Sequence, residues 1–130
     1  MTCNEIYTVA LGMVCESAQN NNTDYEERAP YLLAAFCSSC RALDTQYRHA
    51  NGLDDAPDFS DSYIALEADF PLHRVFSSPA AAYLAAMLTV DENEEMSDRF
   101  CALYSDCLAQ IQASLPCKVE SIKNRYVGLI

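Results

Sequence analysis

The chain has 130 residues, 51% of them hydrophobic, which suffices for one ordered domain and excludes global disorder. Its net charge is −11, and before Lys118 only five arginines carry positive charge. Binding nucleic acid by neutralising phosphates needs a basic face, so this acidic body excludes that class of function.

Two helices are predicted in the first half of the chain, over 3–17 and 24–49. Each apolar pattern follows a capping box, in which the hydroxyl of Thr2 or Thr23 stands three residues before a glutamate. Pro30 lies one to two turns inside the second pattern. Because proline lacks an N–H, it should either kink this helix or mark its true start.

Residues 53–77 form the least regular part of the sequence. Gly52, after an asparagine, is predicted as the left-handed residue that ends the second helix. The segment opens as an acidic loop, and we expect a short helix or turn around Phe59, Tyr63 and Leu66. Several apolar side chains further along are expected to fill the core: Phe70, Leu72, Val75 and Phe76.

A helical hairpin over 79–90 and 94–115 is the strongest pattern in the chain. Ser78 is predicted as its cap, with Pro79 at the first helical position. Alanines dominate the first helix, and the acidic turn at 91–95 opens the second. The apolar stripe of the second helix consists of Met96, Phe100, Leu103, Tyr104, Cys107, Leu108, Ile111 and Leu115.

These patterns predict an all-α fold, a small helical bundle with a long central loop and an irregular C-terminal tail. Residues 1–116 are expected to form the helical domain. Residues 117–130 combine the only lysines with apolar side chains, so the tail should dock on its own domain or on a neighbouring subunit. No apolar run approaches the roughly 20 residues that span a bilayer, and no secretory signal pattern is present. We therefore expect an intracellular protein that does not bind membranes.

The seven cysteines raise the question of redox or metal chemistry, most directly at Cys37 and Cys40. A structural zinc site needs four ligands, and no second close pair is present. Both thiols fall in mid-helix on the apolar stripe, where cysteine packs as a small hydrophobe. His49 and His73 have no partner for acid–base catalysis that the sequence identifies. We expect no catalytic, cofactor or metal site and therefore no enzymatic activity.

The second half of the chain follows a recognisable order: an acidic segment with a proline, an alanine-rich helix, an acidic turn and an amphipathic helix. The segments that carry it are Leu66–Leu72, Ala80–Leu88, Asp91–Glu94 and Phe100–Leu108. This order resembles small tailed-phage and prophage proteins of the head-to-tail connector (adaptor) class. Residues 25–40 and 122–126 also look similar. The shared features are compositional rather than catalytic, and the cysteine content departs from the family.

The resemblance implies a non-catalytic subunit that assembles in a ring beneath the portal, with portal or tail proteins as partners and DNA passing through the lumen. Such a protein would occupy the bacterial cytoplasm and then the virion. An acidic body is consistent with a lumen because like charges repel DNA, although plain solubility is the simpler interpretation of this charge. The alternative function is a small interaction or regulatory domain that docks through 53–77. The candidate protein-contact residues are Phe59, Tyr63, Phe70, Lys118, Ile122, Lys123, Arg125 and Tyr126.

Overall fold

The computed structural model describes residues 1–14 and 23–116, and in these ranges the protein is helical. The described helices are α1 (Cys3–Met13), α2 (Thr23–Ala50), α3 (Ser77–Thr89) and α4 (Glu94–Ala113). A 3-10 turn, Arg74–Phe76, leads directly into α3. Within these ranges the only β pairing is an isolated bridge between Thr2 and Asp69. The predicted all-α fold is confirmed, while the tail at 117–130 lies outside the described residues.

Helix α3 is the centre of the bundle, and α1, α2 and α4 all pack against it. Its alanines permit this because small side chains let neighbouring backbones approach closely. Ser97 of α4 is buried, and its hydroxyl donates to the Ala86 carbonyl of α3 at 2.8 Å. Thr89 donates to the Ala85 carbonyl at 2.7 Å. These bonds satisfy the polar groups that the close helix–helix contact buries.

The starts of α1 and α4 follow the capping signals in the sequence. The Glu5 N–H donates to Thr2 Oγ1 at 3.3 Å, which confirms the cap of α1. In the acidic turn the cap is Asn93, whose side-chain oxygen accepts from the Met96 N–H at 3.0 Å. Thr23, the other predicted cap, is itself the first residue of α2. Side-chain acceptors therefore satisfy backbone donors that the first turns of α1 and α4 cannot pair internally.

Gly52 ends α2 in the way its position predicts. Its φ is 68°, in the left-handed region that glycine adopts without a steric penalty. The Gly52 N–H donates to the His49 carbonyl at 3.2 Å, and the Leu53 N–H donates to the Arg48 carbonyl at 2.8 Å. This pair of bonds is a Schellman motif, which turns the chain sharply out of the helix.

Two predicted helix boundaries shift in the structure. Helix α3 begins at Ser77, so Ser78 is a helical residue and the prediction that it caps the helix is wrong. The cause is the preceding 3-10 turn, which runs into α3 and leaves Phe76 as the boundary residue without a side-chain cap. Helix α1 ends at Met13, and the predicted extension over 15–17 lies outside the described residues.

The irregular segment 53–73 is held by backbone bonds to the N-terminus. The Cys3 N–H donates to the Ala68 carbonyl at 3.0 Å, and the Phe70 N–H donates to the Met1 carbonyl at 2.9 Å. These pairings give the segment partners outside itself, and it forms bends and a turn near Leu66 instead of a helix. The expected core side chains are confirmed: Phe70, Leu72 and Phe76 are buried, and Val75 packs against the core half-buried.

Candidate protein-interaction surfaces

The sequence-predicted contact residues have very different surroundings. Tyr63 is 48% exposed, whereas Phe70 is buried in the core, with its ring 6.5 Å from that of Phe36. Phe59 is half-buried beneath Arg41, whose guanidinium carbon lies 4.3 Å from the ring centroid. Of these three aromatic residues, Tyr63 is therefore the most accessible. The remaining candidates lie outside the described residues: Lys118, Ile122, Lys123, Arg125 and Tyr126.

A buried carboxylate on α2, which sequence patterns did not identify, positions the segment that carries these aromatics. Asp44 is fully buried; one of its oxygens accepts from Arg48 Nε at 2.9 Å and the other from the His73 N–H at 2.8 Å. Arg48 also donates to the Asp54 carbonyl at 3.1 Å. Asp44 and Arg48 therefore fasten both ends of segment 53–73 to α2.

The two histidines have structural partners. His73 caps the 3-10 turn because its Nδ1 accepts from the Val75 N–H at 3.1 Å, and its ring lies 4.9 Å from that of Tyr47. Burial lowers the pKa of His73, the positive charge of Arg48 acts in the same direction, and Asp44 opposes the shift. His49 is exposed and pairs with Asp55 at 2.8 Å.

The thiols on α2 are buried, as the apolar stripe predicted. Cys37 and Cys40 are both fully or almost fully buried, and Cys3 of α1 is buried with them. Burial raises the pKa of all three thiols, that of Cys3 to about 11. Cys107 was predicted to face the core but is only half-buried. In the described part of the chain, no cluster of His, Cys, Asp or Glu has the arrangement to hold a metal ion.

Helix α4 packs chiefly on α3, and one side of its apolar stripe stays partly open. Ile111 is its only fully buried apolar side chain, whereas Met96 and Cys107 are half-buried and Leu103 is 43% exposed. Residues at positions i, i+7 and i+11 fall along one line of a helix. Met96, Leu103 and Cys107 have this spacing, and we call them the α4 edge. Met96 packs against the core at one end of this edge, and Leu103 is its most exposed member.

A second accessible surface lies where the start of α2 meets segment 63–67. Tyr31 is 59% exposed, and its ring contacts that of Tyr63 edge to face, with centroids 5.1 Å apart. Two hollows of about 500 and 450 Å³ adjoin these rings and share Glu26, Pro30 and Tyr63 as lining residues. We call this surface the tyrosine groove, defined by Glu26, Glu27, Pro30, Tyr31, Tyr63 and Glu67.

Pro30 shapes the floor of the tyrosine groove. Helix α2 runs through it, so the prediction that it could mark the helix start is wrong. Its carbonyl accepts from the Ile64 N–H at 3.2 Å, which holds segment 63–67 against α2. Because Pro30 has no N–H, the Glu26 carbonyl four residues earlier lacks its regular helical donor.

The charge of the tyrosine groove is uniformly negative. Glu26, Glu27 and Glu67 are exposed, and none has an ion-pair partner among the described residues. Arg28, although adjacent in sequence, donates to the Met87 carbonyl of α3 at 2.9 Å. In sequence, the signals for this surface were Tyr63, a predicted contact residue, and Tyr31, an aromatic residue that falls off the apolar stripe of α2.

Comparison with known proteins identifies no relative. No family model, no curated protein and no solved structure matches this chain. Across residues 1–14 and 23–116, no helix combines the length and apolar character needed to cross a bilayer.

Proposed function

We propose that this chain is a non-catalytic assembly protein of the phage head-to-tail connector class. The observation that carries the proposal is the α4 edge: an apolar line, left partly open on a strongly acidic domain, suits contact with another protein. The sequence resemblance supplies the class of assembly, a ring beneath the portal. The protein would act in the bacterial cytoplasm during assembly and remain in the finished particle.

Charge supports a ring built from copies of this chain. Residues 1–116 contain five arginines and eighteen carboxylates, a net charge of −13, whereas residues 117–130 contain three basic residues and one glutamate, a net charge of +2. A basic segment on one copy and an acidic body on the next make two different, complementary surfaces. Such a heterologous contact propagates in one direction and closes into a ring when the rotation allows.

The occupant that we propose for the α4 edge is the 117–130 segment of a neighbouring copy. Val119, Ile122 and Tyr126 in that segment would bury apolar surface against the edge, and opposite charges would steer the encounter. The acidic residues elsewhere on the body would repel DNA from the lumen during passage. Because the ring is proposed to form on the portal, the isolated subunit is expected to be monomeric or loosely associated.

The test begins with the neighbouring genes, which should encode portal, capsid and tail proteins. The chain is then co-expressed with the adjacent portal protein, and the particles are imaged by electron microscopy. A ring of additional density beneath the portal is expected for the native chain and for Val9→Asp, a control at an exposed apolar position on α1. Leu103→Asp should abolish the ring. Gene neighbours unrelated to phage particles, or portals that never acquire the density, would refute the assignment.

A second candidate function is a small interaction or regulatory domain that docks through segment 53–77. The exposed Tyr63 ring in that segment favours it. The same gene neighbourhood separates the two candidates, because a regulator has no reason to lie between portal and tail genes.

A further inference from the structure

We propose that the tyrosine groove binds a lysine- or arginine-bearing peptide segment of a partner protein. This inference goes beyond the assembly role, because it rests on α2 and segment 63–67 and makes no use of the α4 edge.

The aromatic pair is the first reason. Tyr31 and Tyr63 are more exposed than any other aromatic side chain in the described ranges. Their edge-to-face contact at 72° leaves ring surface facing solvent beside the two hollows. The face of an aromatic ring carries negative electrostatic potential, so it attracts an ammonium or guanidinium group.

The surrounding charge selects the same kind of ligand. Glu26, Glu27 and Glu67 line the hollows, and among the described residues no lysine or arginine lines either one. A cation in either hollow would therefore meet two carboxylates and the Tyr63 ring, and in the smaller hollow the Tyr31 ring as well. A phosphate or a carboxylate would be repelled.

The hydrogen-bonding groups that the groove offers include the acceptor oxygens of its exposed carboxylates, Glu26, Glu27 and Glu67. Lysine and arginine have only donors in their charged groups, which matches a site built from acceptors.

The size of the groove favours a peptide over an isolated small cation. Its two adjoining hollows measure about 500 and 450 Å³. Both hollows are open to solvent and share three lining residues, so they form a shallow groove that suits an extended chain better than an enclosed small ligand. One basic side chain would meet the rings while its neighbours lie along Thr2, Asn4 and Leu66 on the groove wall.

The test is a selection of peptides from a random library displayed on yeast, with the full-length protein as the target. Bound peptides should be enriched in arginine and lysine relative to the library, and their binding should weaken as NaCl is raised. The 117–130 sequence of this chain is included as a library member, and its recovery would identify a second copy as the partner. No enrichment of basic residues, or enrichment of acidic or purely apolar peptides, would overturn the proposal.

Variants then locate the bound peptides. Tyr63→Ala and the pair Glu26→Gln with Glu67→Gln should each weaken the binding of a selected peptide about threefold to tenfold. Tyr63→Phe, which keeps the ring, and Asp106→Asn, which removes an exposed carboxylate of α4, should leave affinity unchanged. The substituted side chains are all exposed, so the variants are expected to fold. Basic peptides that bind the groove variants as tightly as the native protein would place the site elsewhere and refute the proposal.

Discussion

Replacing Asp44 with alanine is expected to destabilise the protein by about 3 kcal/mol and to loosen segment 53–73 before the rest of the bundle. The Asp44 side chain is 1% exposed, and each of its oxygens accepts one hydrogen bond, from Arg48 Nε or from the His73 N–H. Alanine would remove both acceptors at once. It would leave a backbone donor and a guanidinium group facing an apolar methyl.

The magnitude follows from what the substitution leaves unpaired. A buried donor without a partner costs about 1–3 kcal/mol, and breaking a buried ion pair costs about 3–5 kcal/mol. The Arg48 side chain is 16% exposed, so water can reach it. The expected cost therefore lies toward the lower end of the range of about 3–5 kcal/mol for a broken buried ion pair. Asp44→Asn should cost less, about 1–2 kcal/mol, because the amide keeps one acceptor oxygen but turns donors toward the other partner.

Urea denaturation followed by circular dichroism measures the free energy of unfolding, and hydrogen exchange reports on segment 53–73. Asp106→Ala is the matched control, since this exposed carboxylate on α4 should change stability by less than about 0.5 kcal/mol. If Asp44→Ala costs no more than the control, or if exchange rises uniformly rather than first in 53–73, the buried carboxylate does not fasten the segment.

Three further predictions concern the thiols, one histidine and the tail. Cys37→Ala and Cys40→Ala should each lower the free energy of unfolding by on the order of 1 kcal/mol through lost packing. In the native protein the thiols of Cys37 and Cys40 should react slowly with iodoacetamide. Stoichiometric zinc in protein purified without added metal would contradict this account. The folded-state pKa of His73 is lowered, so folding favours its neutral form. Its contribution to stability is therefore present above the ordinary pKa near 6.5 and is lost as pH falls through the folded pKa. An NMR titration that shows a raised pKa for His73 would contradict this. Deleting 117–130 should leave a folded domain that no longer joins its partners, and unfolding of the truncated chain would show instead that the tail belongs to the domain core.

The helices of this protein were predictable from sequence because their causes are local. Apolar side chains recur every three to four residues, and the caps at Thr2 and Gly52 act within one turn of their own position. The burial of Cys37 and Cys40 followed from the same stripe. The predicted caps Thr23 and Ser78 both lie inside their helices, and at Ser78 the cause is a 3-10 turn that leads into the helix from outside the periodic pattern.

The tyrosine groove depends on the path of segment 53–73, whose sequence shows no hydrophobic periodicity. Asp44 accepts a hydrogen bond from the His73 N–H, 29 residues away in sequence. Tyr31 packs edge to face against Tyr63, which lies within segment 53–73. Any backbone N–H could serve such a carboxylate, so the sequence does not mark the partner. Periodicity specifies which face of a helix is apolar, but only the packed chain determines which segment covers that face. The partly open α4 edge and the tyrosine groove are therefore products of tertiary structure.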